Sequence, residues 1–149
     1  MSYSKITYSL GIMGLTPFFI GLLLSLIQYE LSGISGVVIF ITYSLAILCF
    51  LAGSLWGQVL KGSFSPFDQK ILIATNILVV IGWVAFLVST KFLISSIIVL
   101  ALMFAGIAFL ELKLVRHSTA YKDGSYARLR FFLTNLVLAA HAGMVLIHV

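Results

Sequence analysis

Five long apolar stretches, separated only by short polar segments, constrain this chain more than any motif in it. A helix needs about 20 apolar residues to cross the hydrocarbon of a bilayer. The stretches run from about Leu10 to Ile27, Ser35 to Gln58, Ile71 to Val88, Phe92 to Leu112 and Phe131 to Val149. They are apolar all round, without the alternation of a transmembrane barrel strand. Backbone amides in hydrocarbon need partners within their own segment, so such runs take the form of helices. Of the 149 residues, 62% are hydrophobic and only 9% are charged. A soluble domain carries about 25% charged residues. The sequence therefore predicts an all-α membrane protein. Residues 1–149 form one integral membrane domain, a bundle of five transmembrane helices.

The charges predict an orientation. Five spans place the termini on opposite sides. Lys5, Lys61, Lys70, Lys113, Arg116, Lys122, Arg128 and Arg130 share the N-terminal side, and Lys91 alone faces the other. Basic residues in short loops stay in the cytoplasm or its organellar equivalent. The expectation is N-terminus in, C-terminus out. The net charge of +5 then reads as topology and as contact with anionic lipid headgroups. Nucleic acid is not an expected partner, because no basic domain is present to hold it. The first stretch is longer than a signal-peptide core and no small-residue cleavage site clearly follows, so it reads as a retained helix.

Local signals divide the chain further. Ser89, Thr90 and Lys91 are too short a link for anything but an antiparallel hairpin. Gly33 reads as a helix stop. Pro66 suits a first helical position, so the third helix is expected to begin near it. Asp123-Gly124 is a turn signal in the longest loop. Pro17, preceded by Thr16, should bend the first span, since proline removes a backbone donor. Cys49 has no second cysteine to pair with and reads as a small apolar residue. No internal repeat supports an inverted-repeat transporter.

Small and polar residues within the spans are the functional candidates. Gly53 and Gly57 form a GxxxG pattern, and Ala139 and Gly143 a second small-residue pair. Such pairs let helix backbones approach closely in lipid, within one chain or between two. No Asp, Glu, Lys or Arg lies near a span centre, which argues against an acidic proton or cation relay. His141 is the one titratable group near a midplane; it reads as a packing residue or as a shuttle. Ser54, Gln58, Asn76 and Asn135 lie at similar depths toward the basic side. They could converge below His141 in an inward-facing polar cavity, or make separate interhelical hydrogen bonds. Glu111 and the arginines Arg128 and Arg130 share the cytoplasmic mouth, and Glu111 is expected to pair with Arg130. Trp56, Trp83 and the tyrosines at the span ends fit an aromatic belt. No cofactor signature, catalytic motif or metal-ligand set is visible, so no metal, no cofactor and no enzymatic activity is expected.

Three segments carry a resemblance. Leu10-Gly11-Ile12-Met13-Gly14-Leu15-Thr16-Pro17-Phe18, the run from Tyr43 to Gly57, and Tyr126-Ala127-Arg128-Leu129-Arg130 followed by Thr134 are together similar to the helix motifs of an uncharacterised family. That family includes the animal mitochondrial transmembrane protein 69 and many proteobacterial inner-membrane proteins. It often has a basic residue where this chain has Leu55, and an Asp where this chain has Glu111. The resemblance implies a bacterial inner (cytoplasmic) membrane, or the mitochondrial inner membrane in a eukaryote. It implies no activity. The expectation is a structural or accessory protein acting through helix–helix contacts, with a homo-oligomer or another membrane protein as partner. The alternative is a carrier or channel for a small polar solute or proton.

Overall fold

The computed structural model describes residues 3–60, 65–117 and 124–149, with side chains for 6–60, 65–115 and 128–149. Lys61, Tyr121, Lys122 and Asp123, and the side chains of Tyr3, Lys5, Arg116, Tyr126 and Ala127, lie outside the described residues. The chain runs α1 (Tyr3–Met13), α2 (Thr16–Leu26), β1 (Glu30–Leu31), β2 (Ile34–Ser35), α3 (Gly36–Val59), α4 (Pro66–Val88), α5 (Leu93–His117) and α6 (Gly124–His148). Five segments are long and apolar enough to cross a membrane: Ile6–Leu26, Gly36–Val59, Pro66–Val88, Leu93–Val115 and Arg128–His148.

The first span differs most from the bent helix expected of it. It is two helices, α1 and α2, with Gly14 and Leu15 in a turn between them. Pro17 has no N–H to return to the carbonyl four residues back, and it sits in the first turn of α2, where none is required. The chain tightens, and Leu15 N–H donates to Ile12 O at 3.0 Å. Tyr43 Oη of α3 donates to Gly14 O at 2.8 Å, so a neighbouring helix satisfies a carbonyl beside the break.

The link between the first two spans is a hairpin, which the apolar pattern does not reveal. Glu30 pairs with Ser35 and Leu31 with Ile34. Ser32 (φ 54°) and Gly33 (φ 77°) both turn left-handed, the geometry of a two-residue type I′ connection. Gly33 is therefore a turn residue and not the stop of the preceding helix. The tight hairpin drives α2 and α3 together. A Cβ on Gly36 would collide with Ser25 N, so only glycine allows this approach.

α4 starts at Pro66 with a capping box. Ser65 Oγ accepts from Asp68 N–H at 3.2 Å, and Asp68 Oδ2 accepts from Ser65 N–H at 2.9 Å. α5 continues past Leu112, and α6 begins well before Phe131. Lys and Arg end an apolar run but remain good helix formers, so these helices outlast their apolar stretches.

The helices close into a ring, with α2 against α3, α3 against α4, α4 against α5, α5 against α6 and α6 against α2. α3 also touches α5 across the centre, while α1 leans on α6. Phe18, Phe40, Leu48, Leu55, Ile97, Leu100, Phe104, Ile107 and Met144 fill the core.

Candidate functional site

The largest fully buried polar side chain of the core is one imidazole. His141 is buried among Phe18 of α2, Phe40 of α3 and Phe104 of α5, with ring centroids at 5.9, 4.8 and 5.3 Å. Its Nδ1 donates to Val137 O of its own helix at 2.8 Å. In the neutral ring this leaves Nε2 as the acceptor nitrogen. Nε2 is buried without a hydrogen-bond partner among the described residues. Phenyl rings offer it nothing to bond, and among the described residues no hydrogen-bonded chain leads away from Nε2.

The polar residues at the basic end do not converge beneath it. Asn76 is exposed, and its Nδ2 donates to Leu72 O of the same helix at 3.2 Å. Asn135 is also exposed and donates to Phe131 O at 2.8 Å. Gln58 Nε2 donates to Ser54 Oγ at 3.4 Å, again within one helix. The cavity expected to join Ser54, Gln58, Asn76, Asn135 and His141 is not formed, nor are interhelical bonds by these asparagines. Equal depth places residues at one level of a bundle, but their direction around each helix decides whether they meet. Asn76 and Asn135 spend their amides on their own backbone and face outward.

The charged pair at the same end does meet. Arg130 Nε lies 3.0 and 3.1 Å from the two Glu111 oxygens, and Arg130 Nη2 lies 2.9 Å from Oε2. This fork joins α6 to α5. The side chains are 16% and 9% exposed, so the pair is no solvated surface contact. Arg128, two residues earlier, is exposed and points elsewhere on α6.

Beside the pair lies a crevice of about 130 Å3, open on one side. Gly11 and Gly14 from the α1–α2 break, Ile47 and Phe50 from α3, and Arg130 and Thr134 from α6 are among its walls. Phe18 and Phe104 close it below; the same two rings screen His141.

The two small-residue pairs have different fates. A Cβ on Gly143 would touch Leu22 at 3.5 Å, so Gly143 helps α6 pack on α2, while Ala139 faces outward. Gly53 and Gly57 are exposed, and a Cβ on either would meet no described atom within 4 Å. Cys49, one turn earlier, is exposed on the same side of α3.

Residues 3–146 match a family described as "Protein of unknown function (DUF3429)". The chain belongs to that family. The match takes in His141, the Glu111–Arg130 pair, the crevice and the open glycine face, so these features lie inside the DUF3429 region. No curated protein and no solved structure matches the chain. Within this DUF3429 protein, sequence reasoning missed two interhelical hydrogen bonds. Trp56 Nε1 donates to Thr75 Oγ1 at 3.0 Å, and Thr75 Oγ1 donates to Leu72 O at 2.8 Å. Trp56 thus ties α3 to α4 in addition to lying near a span end. Tyr43 on Gly14 is the other. A Tyr or Thr inside an apolar run is the available signal, since a buried hydroxyl or indole needs a partner.

Proposed function

We propose that this is a multi-pass protein of an energy-transducing inner membrane that acts as an accessory subunit, through helix–helix contacts at the Gly53–Gly57 face of α3. The open face carries the reading. Glycine within a helix costs about 1 kcal/mol relative to alanine. At Gly36 that cost is offset by a close helix approach inside the chain. At Gly53 and Gly57 nothing described in the chain offsets it. A partner helix seated there would, because small residues let two backbones approach in lipid. The partner is a second copy or another membrane protein.

The five apolar spans and the one-sided basic residues support insertion with the N-terminus in and the C-terminus out. The likeness to the family of mitochondrial transmembrane protein 69 and proteobacterial inner-membrane proteins supports the choice of membrane. The absence of catalytic and cofactor motifs from the sequence supports a protein without chemistry of its own. Anionic headgroups would meet the basic end. A carrier or channel has less support, because Asn76 and Asn135 face outward and three phenyl rings surround His141.

The test is a mild-detergent pull-down of the wild-type chain and of Gly57→Leu, with mass spectrometry of bound proteins and lipids. A stoichiometric protein partner, or a second copy, should accompany the wild type and be lost from the variant at unchanged folding. Identical protein recovery from both would remove the α3 face from the account.

A further inference from the structure

We propose that the crevice between α1, α3 and α6 is a lipid site that takes one acyl chain of an anionic phospholipid, with the phosphate at the Arg130 end. The inference rests on the bilayer insertion proposed above, but not on the partner face of α3. It starts from how the crevice is made. Pro17 and the turn at Gly14–Leu15 end α1, and Gly11 then seats α1 against Leu133 of α6. α1 therefore leans on α6, and a gap is left toward α3.

The gap is graded in polarity and in depth. Phe50 (69% exposed) and Leu10 (63%) flank its mouth, whereas Phe18 and Phe104 at its base are fully buried. Arg130 and Thr134 are its polar lining; Val137, two turns of α6 further in, is apolar. An unfilled apolar void forfeits dispersion contacts on every wall. Its size, about 130 Å3, is close to the ~150 Å3 of an apolar cavity that binds benzene. That is room for a length of chain and not for a whole lipid. An acyl chain is the solvent of this surface, and the open side admits it without any helix moving.

Charge selects the headgroup. Arg130 stands where the apolar span begins, nearly two turns into α6, with Nε and Nη2 on Glu111. Arg128, Lys113 and Lys70 lie at the same end of the bundle, against Glu111 and Asp68 as the acidic side chains described there. A phosphodiester with its chain in the crevice fits that field. A zwitterionic lipid brings its own cation and fits less well.

The experiment uses the full chain in phosphatidylcholine vesicles doped with phosphatidylglycerol that carries a photoactivatable group on one acyl chain. Labelled residues are mapped by mass spectrometry. Label should concentrate on Ile47, Phe50 and Leu133, above the level on Ile73, Val80 and Leu146, which face outward elsewhere. Phosphatidylcholine with the same chain should label the crevice more weakly, by about fivefold for each cation contact it lacks. Ile47→Trp, which fills the crevice, should abolish the enrichment and leave the other positions labelled. Even labelling of all outward positions would overturn the site while leaving insertion intact. No labelling at all would overturn both. Enrichment equal for the two lipids would overturn the anionic assignment.

Discussion

At the scale of the residue, two polar groups in an apolar bundle show opposite solutions. Arg130 and Glu111 form a two-pronged pair that satisfies both charges where little water reaches. Removing one partner of such a pair leaves an uncompensated charge, which costs about 3–5 kcal/mol. Arg130→Gln and Glu111→Gln alone should each therefore lower thermal stability in detergent sharply. Glu111→Gln with Arg130→Gln should recover most of the loss, because the two amides keep the shape without the charge. A double-mutant cycle checks this, and no coupling between the sites would show that the pair does not stabilise the fold. His141 solves the problem incompletely, since only Nδ1 has a partner. His141→Phe removes the orphaned acceptor and keeps a ring among rings. Thermal unfolding should show no loss of stability, within about 1 kcal/mol; a large loss would mean that Nε2 has a partner in the working protein.

At the scale of the element, helix limits depend on end chemistry as much as on apolarity. Ser65 and Asp68 close the start of α4 upon themselves. Ser65→Ala should cost about 1 kcal/mol, and hydrogen exchange should rise in the first turn of α4 and not at its far end. Element-scale signals also explain what the sequence could reveal. Length and apolarity disclose the five spans, and Pro66 marks where α4 begins. The hairpin at Ser32-Gly33 is less legible, because its strands are two residues long and too short for any alternating pattern. The break at Gly14–Leu15 is hidden for another reason: proline announces a bend, but whether the helix bends or parts depends on what caps the carbonyls beside it. Tyr43, far away in sequence, supplies that cap. Depth can be counted from a span end, and it brought Glu111 and Arg130 to one level. Direction around the helix cannot be counted where a span is apolar on every side, since no polar face orients it. That is why Asn76 and Asn135 share a level yet do not meet.

At the scale of the whole molecule, the bundle keeps its polar groups apart. A buried imidazole stands behind phenyl rings, an ion pair closes one end, a crevice opens beside it, and two unoccupied glycines lie on an outer helix face. This arrangement suits a protein that is recognised from its surface better than one that passes a solute through its centre. The native cysteine offers the most direct check. Cys49 is the only cysteine in the chain and stands one turn from Gly53 on the same exposed side of α3. A thiol-reactive photocrosslinker placed on Cys49 in native membranes reports what lies against that face. The account expects one discrete protein adduct, a second copy or another membrane protein, that disappears in Gly57→Leu. Lipid adducts alone, or the same adduct pattern in both proteins, would contradict it.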